Sequence, residues 1–252
     1  MPTVLIADKT DARAKAILEA AGITVITETG LKEDQLAEKA KTVEGIIVRS
    51  ESTVTRKILQ SGAGKLKIVG RAGVGVDNID LDAATEVGVV VENTPFGNIT
   101  SAAEHALALM MALARKVPSA DGKMKAGVWA KKENTGVEMD GKTMGIVGLG
   151  KVGAIVARVA RALNMKVVVF DPFLTDKRAS DLGVEKAELD DLLAKADFIS
   201  LHTPLTDKTR NMIDKTAFEK MKKGARLINA ARGGIVDEQA LADALEIGRA
   251  HV

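Results

Sequence analysis

The chain has 252 residues, 46% hydrophobic and 28% charged, which is typical of a globular protein with a buried core and room for two domains. Its 36 basic and 34 acidic side chains nearly cancel, so neither nucleic acid nor an anionic membrane is expected as a partner. The absence of cysteine excludes disulfides and cysteine-based zinc sites, and the three histidines are scattered, so we expect a cytoplasmic protein without a metal site.

In the first part of the chain, short runs rich in Val and Ile alternate with longer stretches of helical period. This alternation is typical of parallel sheets with helices on both faces. The opening MPTVLIADKT lacks the basic start and long apolar run of a signal peptide and is interpreted as a buried strand. Residues 1–97 are therefore predicted to form a flavodoxin-like α/β domain with strands at 4–7, 23–27, 45–49, 66–69 and 89–92.

The segment NTPFGN at 93–98 interrupts the alternation, because Pro and Gly halt both helices and strands, and it predicts a domain boundary. We expect a long helix to follow, capped by Thr100 or Ser101, running to about Lys116 and ended by Pro118. Since this helix is apolar almost all round, it predicts burial either in the interior or against a second subunit. The region 99–117 is accordingly a candidate contact for a homodimer or higher homo-oligomer.

A second alternating series occupies the rest of the chain. The predicted strands lie at 143–147, 166–170, 197–201 and 225–229, with helices at 152–163 and 190–195. Residues 98–252 are therefore predicted to form a Rossmann domain. The fold class is α/β, with two doubly wound parallel-sheet domains.

The sequence GLGKVG at 148–153 follows a predicted strand directly and opens a helix, the context in which G-x-G-x-x-G binds a dinucleotide. Gly148 permits the turn, Gly150 lets a pyrophosphate approach the backbone, and Gly153 allows close helix packing. A bare strand–helix turn is the alternative. In dinucleotide-binding domains, an acidic residue about 20 residues after the glycine motif binds the adenosine ribose and repels a 2′-phosphate. Asp171, which ends the next strand, matches this position, so NAD is the predicted cofactor. The candidate cofactor residues here are Gly148, Gly150, Lys151, Val152, Gly153 and Asp171.

Two further strand ends of this domain carry polar residues. His202-Thr203-Pro204 ends one strand at the edge where doubly wound sheets bind ligands, and His202 is interpreted as structural rather than as a general acid. Arg232 lies on a Gly-rich turn after another strand. A guanidinium there can bind a carboxylate through two parallel hydrogen bonds, and a surface salt bridge to Asp237 or Glu238 is the alternative.

In the first domain, the sequence GRAGVGVDN at 70–78 follows a strand, and its glycines expose backbone N–H groups that suit an anion. It is not a second dinucleotide motif, because Asn78 occupies the third glycine position. Arg49 ends a neighbouring strand and either faces the same site or is solvated.

Together these segments resemble the D-isomer-specific 2-hydroxyacid dehydrogenases over almost the whole chain. The resemblance is carried by VRSESTVT, VGRAGVGVDNIDLDAAT, VENTPFGN, AAEHALALMMALAR, GKTMGIVGLGKVG, VVVFDP, LHTPLTDKTR and NAARGGIVDEQAL. It implies that residues 1–97 bind substrate, that residues 98–252 bind NAD, and that a small anionic 2-hydroxy acid is oxidised between them. Val74 and the segment 98–101 depart from the family pattern, which leaves only a backbone role for Val74.

The family pattern assigns roles to individual positions. It implies that Arg232 is the catalytic-site arginine, which holds the substrate carboxylate and also contacts the cofactor. It further implies substrate contacts from Arg49, Ser50, Arg71 and the Gly73–Val74 backbone, and cofactor contacts from Thr203, Pro204 and Ala230.

Within the family, the motifs are most similar to members that oxidise D-3-phosphoglycerate to 3-phosphohydroxypyruvate, the first step of serine biosynthesis. A glyoxylate or hydroxypyruvate reductase is the alternative among enzymes. A non-catalytic NAD-binding sensor is the alternative outside them, and the intact Arg232 loop disfavours it.

The C-terminal residues do not resemble the family's continuation. The family pattern places a Glu–His pair for proton transfer downstream of the Arg232 loop, whereas this chain is predicted to stop inside the intervening helix. Residues 246–252 can be encoded by a common sequencing-adapter sequence, so we expect the native sequence to diverge at about Glu246 and His251 to be an artefact. The 252-residue chain is expected to be inactive, because losing a general acid–base group removes about 10²–10⁴ in rate.

Overall fold

A computed structural model describes residues 1–246 and 250–251 of the chain. The chain divides into two compact units, Met1–Asn98 and Ile99–Val252. Each unit is built on a sheet whose strands all pair in parallel, with five strands in the first and six in the second. The predicted α/β class with two doubly wound sheets is confirmed.

The first unit has the flavodoxin-like strand order β2-β1-β3-β4-β5. Buried aliphatic side chains on both faces of the central strands form its core, which explains why these strands are apolar runs rather than alternating patterns. The strands are β1 Thr3–Ile6, β2 Thr24–Thr27, β3 Gly45–Val48, β4 Ile68–Arg71 and β5 Val90–Asn93, and the helices are α1 Ala12–Ala20, α2 Glu33–Ala40, α3 Arg56–Ser61 and α4 Leu81–Val87.

Strand β4 lies two residues later than predicted. Leu66, expected to begin it, is buried, and its amide donates to the Gly62 carbonyl at 2.8 Å. Leu66 therefore closes the turn after α3, and parallel pairing begins only where Ile68 lies opposite Gly45. The shift places Arg71 at the last position of the strand.

The second unit has the strand order β11-β10-β9-β6-β7-β8. The predicted bounds of β6, β7 and β10 agree with the structure. The strands are β6 Thr143–Val147, β7 Lys166–Phe170, β8 Glu185–Lys186, β9 Phe198–Leu201, β10 Ala225–Asn229 and β11 Ala250–His251. The helices are α5 Ile99–Ala114, α6 Val117–Lys125, α7 Lys151–Ala162, α8 Asp176–Leu182, α9 Leu189–Lys195, α10 Lys215–Lys220 and α11 Glu238–Glu246.

The ends of α5 differ from the prediction. The helix begins at Ile99, so Thr100 and Ser101 lie inside its first turn and the prediction that one of them caps it is wrong. It ends at Ala114, because Lys116 adopts a left-handed conformation with φ of 53°. Pro118 does not end α5 but lies in the first turn of α6, where its missing N–H costs no hydrogen bond.

One face of α5 is buried within its own unit, where it packs against α7 and β10. The buried side chains follow helical spacing and are Ile99, Ala103, Ala106, Met110 and Ala114. Leu109 and Met111, which flank this buried face on its two sides, are exposed by 40% and 37%. The predicted burial of this helix in the protein interior is therefore confirmed for one of its faces.

The prediction that the chain stops inside a helix is wrong. Helix α11 ends at Glu246, and Ala250–His251 pair in parallel with Ala225 and Arg226 of β10. Residues 247–249 and 252, on which the expectation of an artefactual ending also rests, lie outside the described residues. Among the described helices, none combines the length and apolarity needed to span a bilayer.

Candidate functional site

The glycine-rich turn lies between β6 and α7. Gly148 has a φ of 93°, a left-handed conformation that favours glycine, and its amide donates to the Phe170 carbonyl at 2.8 Å. A Cβ at Gly148 would lie 2.9 Å from the His202 carbonyl oxygen. The turn is therefore held between the ends of β7 and β9, with no room for a side chain.

Gly150 and Gly153 differ in what surrounds them. A Cβ at Gly153 would overlap the Gly148 carbonyl oxygen, so this glycine is needed for α7 to approach β6. No atom lies within 4 Å of the corresponding Cβ position at Gly150, which is the N-cap of α7 and has a φ of −71°. The open space at Gly150 lies at the N-terminus of a 12-residue helix, where the partial positive charge favours a phosphate.

Asp171 follows the last residue of β7, and its carboxylate points towards the glycine-rich turn. Its Oδ2 accepts a hydrogen bond from the Leu149 amide at 2.7 Å, and its Oδ1 accepts one from the Phe173 amide at 2.8 Å. Because each carboxylate oxygen can accept more than one hydrogen bond, the group retains capacity for ribose hydroxyls. The carboxylate is half-buried, which strengthens its repulsion of a second anion.

The end of β9 combines a neutral histidine with an unsatisfied hydroxyl. Burial lowers the pKa of His202 to about 4, and its Nε2 lies 2.9 Å from the Oγ of buried Ser200. The ring is therefore neutral near pH 7, in keeping with a structural role. Among the described residues, Thr203 Oγ1 is one of the few buried side-chain atoms without a hydrogen-bond partner. Such an orphan costs free energy unless a ligand satisfies it.

The Arg232 turn follows β10 and is held by side-chain contacts. Asn229 Nδ2 donates to the Arg232 carbonyl at 2.9 Å, and its Oδ1 accepts from the Ala231 amide at 3.1 Å. The half-buried Arg232 guanidinium donates through Nη1 to the Ala231 carbonyl at 2.9 Å. Asp237, one of the predicted salt-bridge partners, accepts from the Ala240 amide at 2.9 Å in the first turn of α11.

The segments described above follow the ends of β6, β7, β9 and β10. These four strands are neighbours in the order β10-β9-β6-β7 and run in parallel, so their carboxyl ends lie at one edge of the second sheet. Doubly wound sheets bind ligands at this carboxyl edge. The open backbone at Gly150, the Asp171 carboxylate and the orphaned Thr203 hydroxyl together fit a dinucleotide. The edge gathers the predicted residues Gly148, Gly150, Lys151, Val152, Gly153, Asp171, Thr203, Pro204, Ala230 and Arg232.

The first unit brings two of the predicted substrate residues together. An open pocket of about 540 Å³ at the carboxyl edge of its sheet is lined by Arg49 and Arg71, with Asp11, Glu92 and Thr94 among its other walls. Ser50 is exposed beside Arg49, outside the pocket lining. Two guanidinium groups on one pocket are suited to an anionic group such as a phosphate.

The backbone groups at Gly73 that were predicted to bind an anion already form hydrogen bonds within the chain. The Gly73 amide donates to the Arg71 carbonyl at 2.8 Å, and Asn93 Nδ2 donates to the Val74 carbonyl at 2.5 Å. A Cβ at Gly73 would overlap the Arg71 guanidinium, which therefore lies over the glycine. Gly73 consequently serves the placement of Arg71 as well as the course of the backbone.

Sequence reasoning missed two polar residues behind this pocket, Asp8 and Asn78. Asp8 is only 1% exposed, and Asn78 was noted only for interrupting a glycine pattern. Asp8 follows the first strand, so its position at a strand end was an available signal. The partners of Asn78 lie up to 29 residues away, and no local pattern indicates them.

Residues 107–252 match the family described as D-isomer specific 2-hydroxyacid dehydrogenase, NAD binding domain. The chain therefore belongs to this family, which confirms both the resemblance found in the sequence and the prediction of NAD as the cofactor.

The relatives in this family include enzymes of named specificity. The chain is 47% identical over 246 residues to D-3-phosphoglycerate dehydrogenase of Archaeoglobus fulgidus. The aligned region covers 98% of this chain and 46% of the relative. It is 48% identical over 246 residues to the enzyme of the same name from Synechocystis sp., covering 98% of this chain and 44% of that one. The chain thus spans about half the length of these curated relatives.

A solved structure supports the fold. A glyoxylate reductase from Paecilomyes thermophila aligns with a TM-score of 0.90 and 31% identity, covering 99% of this chain and 79% of that one.

Replacing Gly150 should separate cofactor binding from folding. In Gly150→Ala the added methyl group meets no protein atom, so the free energy of unfolding should fall by no more than about 1 kcal/mol, the cost of a less favourable N-cap residue. The methyl group occupies the space predicted for the pyrophosphate, so the dissociation constant for NAD should rise about tenfold or more. Gly153→Ala is the contrasting variant and should lose about 1–3 kcal/mol of stability through overpacking. Calorimetric titration measures the NAD affinity of each variant, and urea unfolding measures its stability. Unchanged NAD affinity in Gly150→Ala would contradict the assignment of the Gly150 backbone to pyrophosphate binding.

The half-buried His202 should make stability depend on pH. Its folded pKa of about 4 lies below the ordinary value of 6.5, so the unfolded chain takes up the proton first as the pH falls. Stability should be complete above about pH 6.5 and should decline towards pH 4, by on the order of 3 kcal/mol in total. His202→Gln should remove this component of the slope in urea unfolding at pH 7 and pH 4.5, whereas His105→Gln, at an exposed site on α5, should retain it. Equal slopes for wild type and His202→Gln would refute the interpretation.

Proposed function

We propose that the protein is an NAD-dependent D-3-phosphoglycerate dehydrogenase, which oxidises D-3-phosphoglycerate to 3-phosphohydroxypyruvate. The observation that carries the proposal is the pair Arg49 and Arg71 on one pocket, since a substrate with a phosphate beside its carboxylate needs a second cationic site. The 47% and 48% identities to enzymes of that name support the same substrate. By the chemistry of its substrate and product, the reaction would open serine biosynthesis.

In this proposal the second unit holds the cofactor. The Gly148–Gly153 turn binds the pyrophosphate, with Lys151 and Val152 supplying the first turn of α7, and Asp171 accepts hydrogen bonds from the adenosine ribose. Thr203 Oγ1 gains its missing partner from the cofactor, while Pro204 and Ala230 line the nicotinamide end. When bound, NAD supplies the hydride acceptor, and the chain's own groups bind and orient.

Substrate orientation rests on anion contacts at both ends of the molecule. Arg232 binds the carboxylate through two parallel N–H bonds, which fix the direction of the adjoining hydroxyl carbon. In the first unit, Arg49, Ser50 and Arg71 bind the phosphate. His202 is assigned a structural role in this proposal, since its Nε2 lies 2.9 Å from the Oγ of buried Ser200.

We also propose a cytoplasmic homo-oligomer, a dimer or larger, that forms through the region 99–117. The support is that two large apolar side chains of α5, Leu109 and Met111, remain exposed on either side of its buried face. Exposed apolar side chains are one feature of subunit contacts.

The Asp171 carboxylate should select NAD over NADP. The additional 2′-phosphate would meet this half-buried charge, which should weaken NADP binding by roughly 1–3 kcal/mol or more. Asp171→Ala should narrow the difference, and Asp171→Asn is the sharper variant because it removes the charge while keeping an acceptor for a backbone amide. Fluorescence titration of both dinucleotides provides the measurement. Similar dissociation constants for NAD and NADP in the wild type would reject this selection mechanism.

Arg232→Lys should reduce catalytic efficiency about ten- to hundred-fold although the charge is kept, because an ammonium cannot form the planar two-bond contact. Turnover is measured by NAD reduction in a chain that includes the downstream Glu and His of the family pattern. Unchanged kinetics in Arg232→Lys would show that Arg232 does not bind the substrate carboxylate and would favour the surface salt bridge.

The identity of the substrate is tested by comparing the catalytic efficiency of the same chain with 3-phosphohydroxypyruvate and with hydroxypyruvate. A preference for the unphosphorylated compound would reject D-3-phosphoglycerate as the substrate.

A further inference from the structure

The side chain of Asn78 joins two loops at the anion pocket of the first unit. Its Nδ2 lies 2.7 Å from the Arg49 carbonyl oxygen and 2.6 Å from the Ser52 carbonyl oxygen. Its Oδ1 accepts a hydrogen bond from Arg71 Nε at 3.0 Å. One amide thus contacts the loop that follows β3 and the guanidinium at the end of β4.

The chemistry of these partners fixes the orientation of the amide. Nδ2 carries two N–H groups and faces two carbonyl oxygens, which only accept, whereas Oδ1 faces Nε–H of Arg71, which only donates. A flipped amide would place its oxygen against two oxygens and its N–H groups against a cation. All three contacts are therefore satisfied in a single arrangement.

The backbone of Asn78 is fixed as well. Its carbonyl accepts from the Val54 amide at 2.8 Å, and the next residue, Ile79, forms a parallel bridge with Val54. Both aliphatic side chains are buried. The amide therefore projects from a rigid base rather than from a mobile loop.

Asp8 holds the same loop from the other side. Its carboxylate accepts from the Arg49 amide at 2.5 Å, the Ser52 amide at 3.1 Å and the Ser52 hydroxyl at 2.5 Å. The loop thus donates its N–H groups to Asp8 and presents its carbonyl groups to Asn78. This double anchorage determines where the Arg49 side chain begins.

We propose that Asn78 is a positioning residue for the substrate anion, which holds Arg71 and the loop bearing Arg49 so that both guanidinium groups serve one pocket. The inference rests on the proposed function for the identity of the anion. Because the guanidinium is planar, fixing the direction of Nε–H limits the orientation of the whole group.

The side chain of Asn78 is neutral, and this affects the charge of the pocket. A carboxylate at this position would pair with Arg71 and reduce the positive charge offered to a ligand. It would also face the two carbonyl oxygens with an oxygen instead of an N–H group. An amide orients Arg71 without adding a further carboxylate beside the two, Asp11 and Glu92, that already line the pocket.

The test uses the 252-residue chain with D-3-phosphoglycerate and inorganic phosphate as separate probes. Affinity is measured by calorimetry, and the Arg Nε–H signals are followed by ¹H–¹⁵N NMR. Asn78→Asp is the isosteric variant, and Asn78→Ala is the milder one in case the carboxylate prevents folding. Asp80→Ala is the matched control, because Asp80 lies in the same turn but its Oδ1 accepts from the Ala83 amide to cap α4.

We expect both Asn78 variants to bind D-3-phosphoglycerate at least about tenfold more weakly, with Asp80→Ala changing affinity by less than about twofold. Asn78→Ala should lose the protected Arg71 Nε–H signal, whereas Asn78→Asp should keep it, because the carboxylate still accepts from Arg71 Nε–H while lowering the positive charge offered to the ligand. Wild-type affinity and an intact Arg71 signal in the folded Asn78→Ala variant would overturn the positioning role and leave the proposed substrate standing. Binding of inorganic phosphate that depends on Asn78, without binding of D-3-phosphoglycerate, would support the positioning role and reject the substrate. If neither probe shifts the arginine signals of the wild type, both proposals are overturned.

Discussion

The close approach of α7 to the end of β6 is the contact on which the second unit's site depends. It is possible only because Gly153 has no side chain, since a Cβ there would overlap the carbonyl oxygen of Gly148. The approach aims the helix N-terminus at the space above Gly150 and leaves the Leu149 amide facing Asp171. The phosphate and ribose contacts we propose are thus two consequences of one packing constraint.

The first unit presents two cations, Arg49 and Arg71, on one pocket whose walls also include the carboxylates of Asp11 and Glu92. Like charges repel, so holding guanidinium groups together requires neutral or buried partners that fix their geometry. Here the partners are main-chain carbonyls, the Asn78 amide and the buried Asp8 carboxylate, which binds backbone and hydroxyl groups of the loop. Each unit therefore builds its site from backbone groups placed at strand ends, with few side chains added.

The differences between prediction and structure share a cause. Leu66 and Pro118 were interpreted from local propensity, but Leu66 closes a turn because it is buried, and Pro118 starts a helix because Lys116 turns the chain first. The start of α5 lies at buried Ile99, so the hydroxyls of Thr100 and Ser101 do not set it, and its end precedes the left-handed Lys116. Local signals located the elements well, but burial set their boundaries.

The sequence by itself determined the α/β class, the dinucleotide turn and the acid at Asp171, because these depend on periodicity and on residues with fixed short spacing. It also identified Arg49, Arg71 and Arg232 as strand-end cations. Only the tertiary structure decided that Arg49 and Arg71 line one pocket, that His202 is neutral through burial against Ser200, and that Asn78 links two loops. These facts depend on contacts between residues distant in the chain, where distance, direction and loss of solvent set the energy of each interaction.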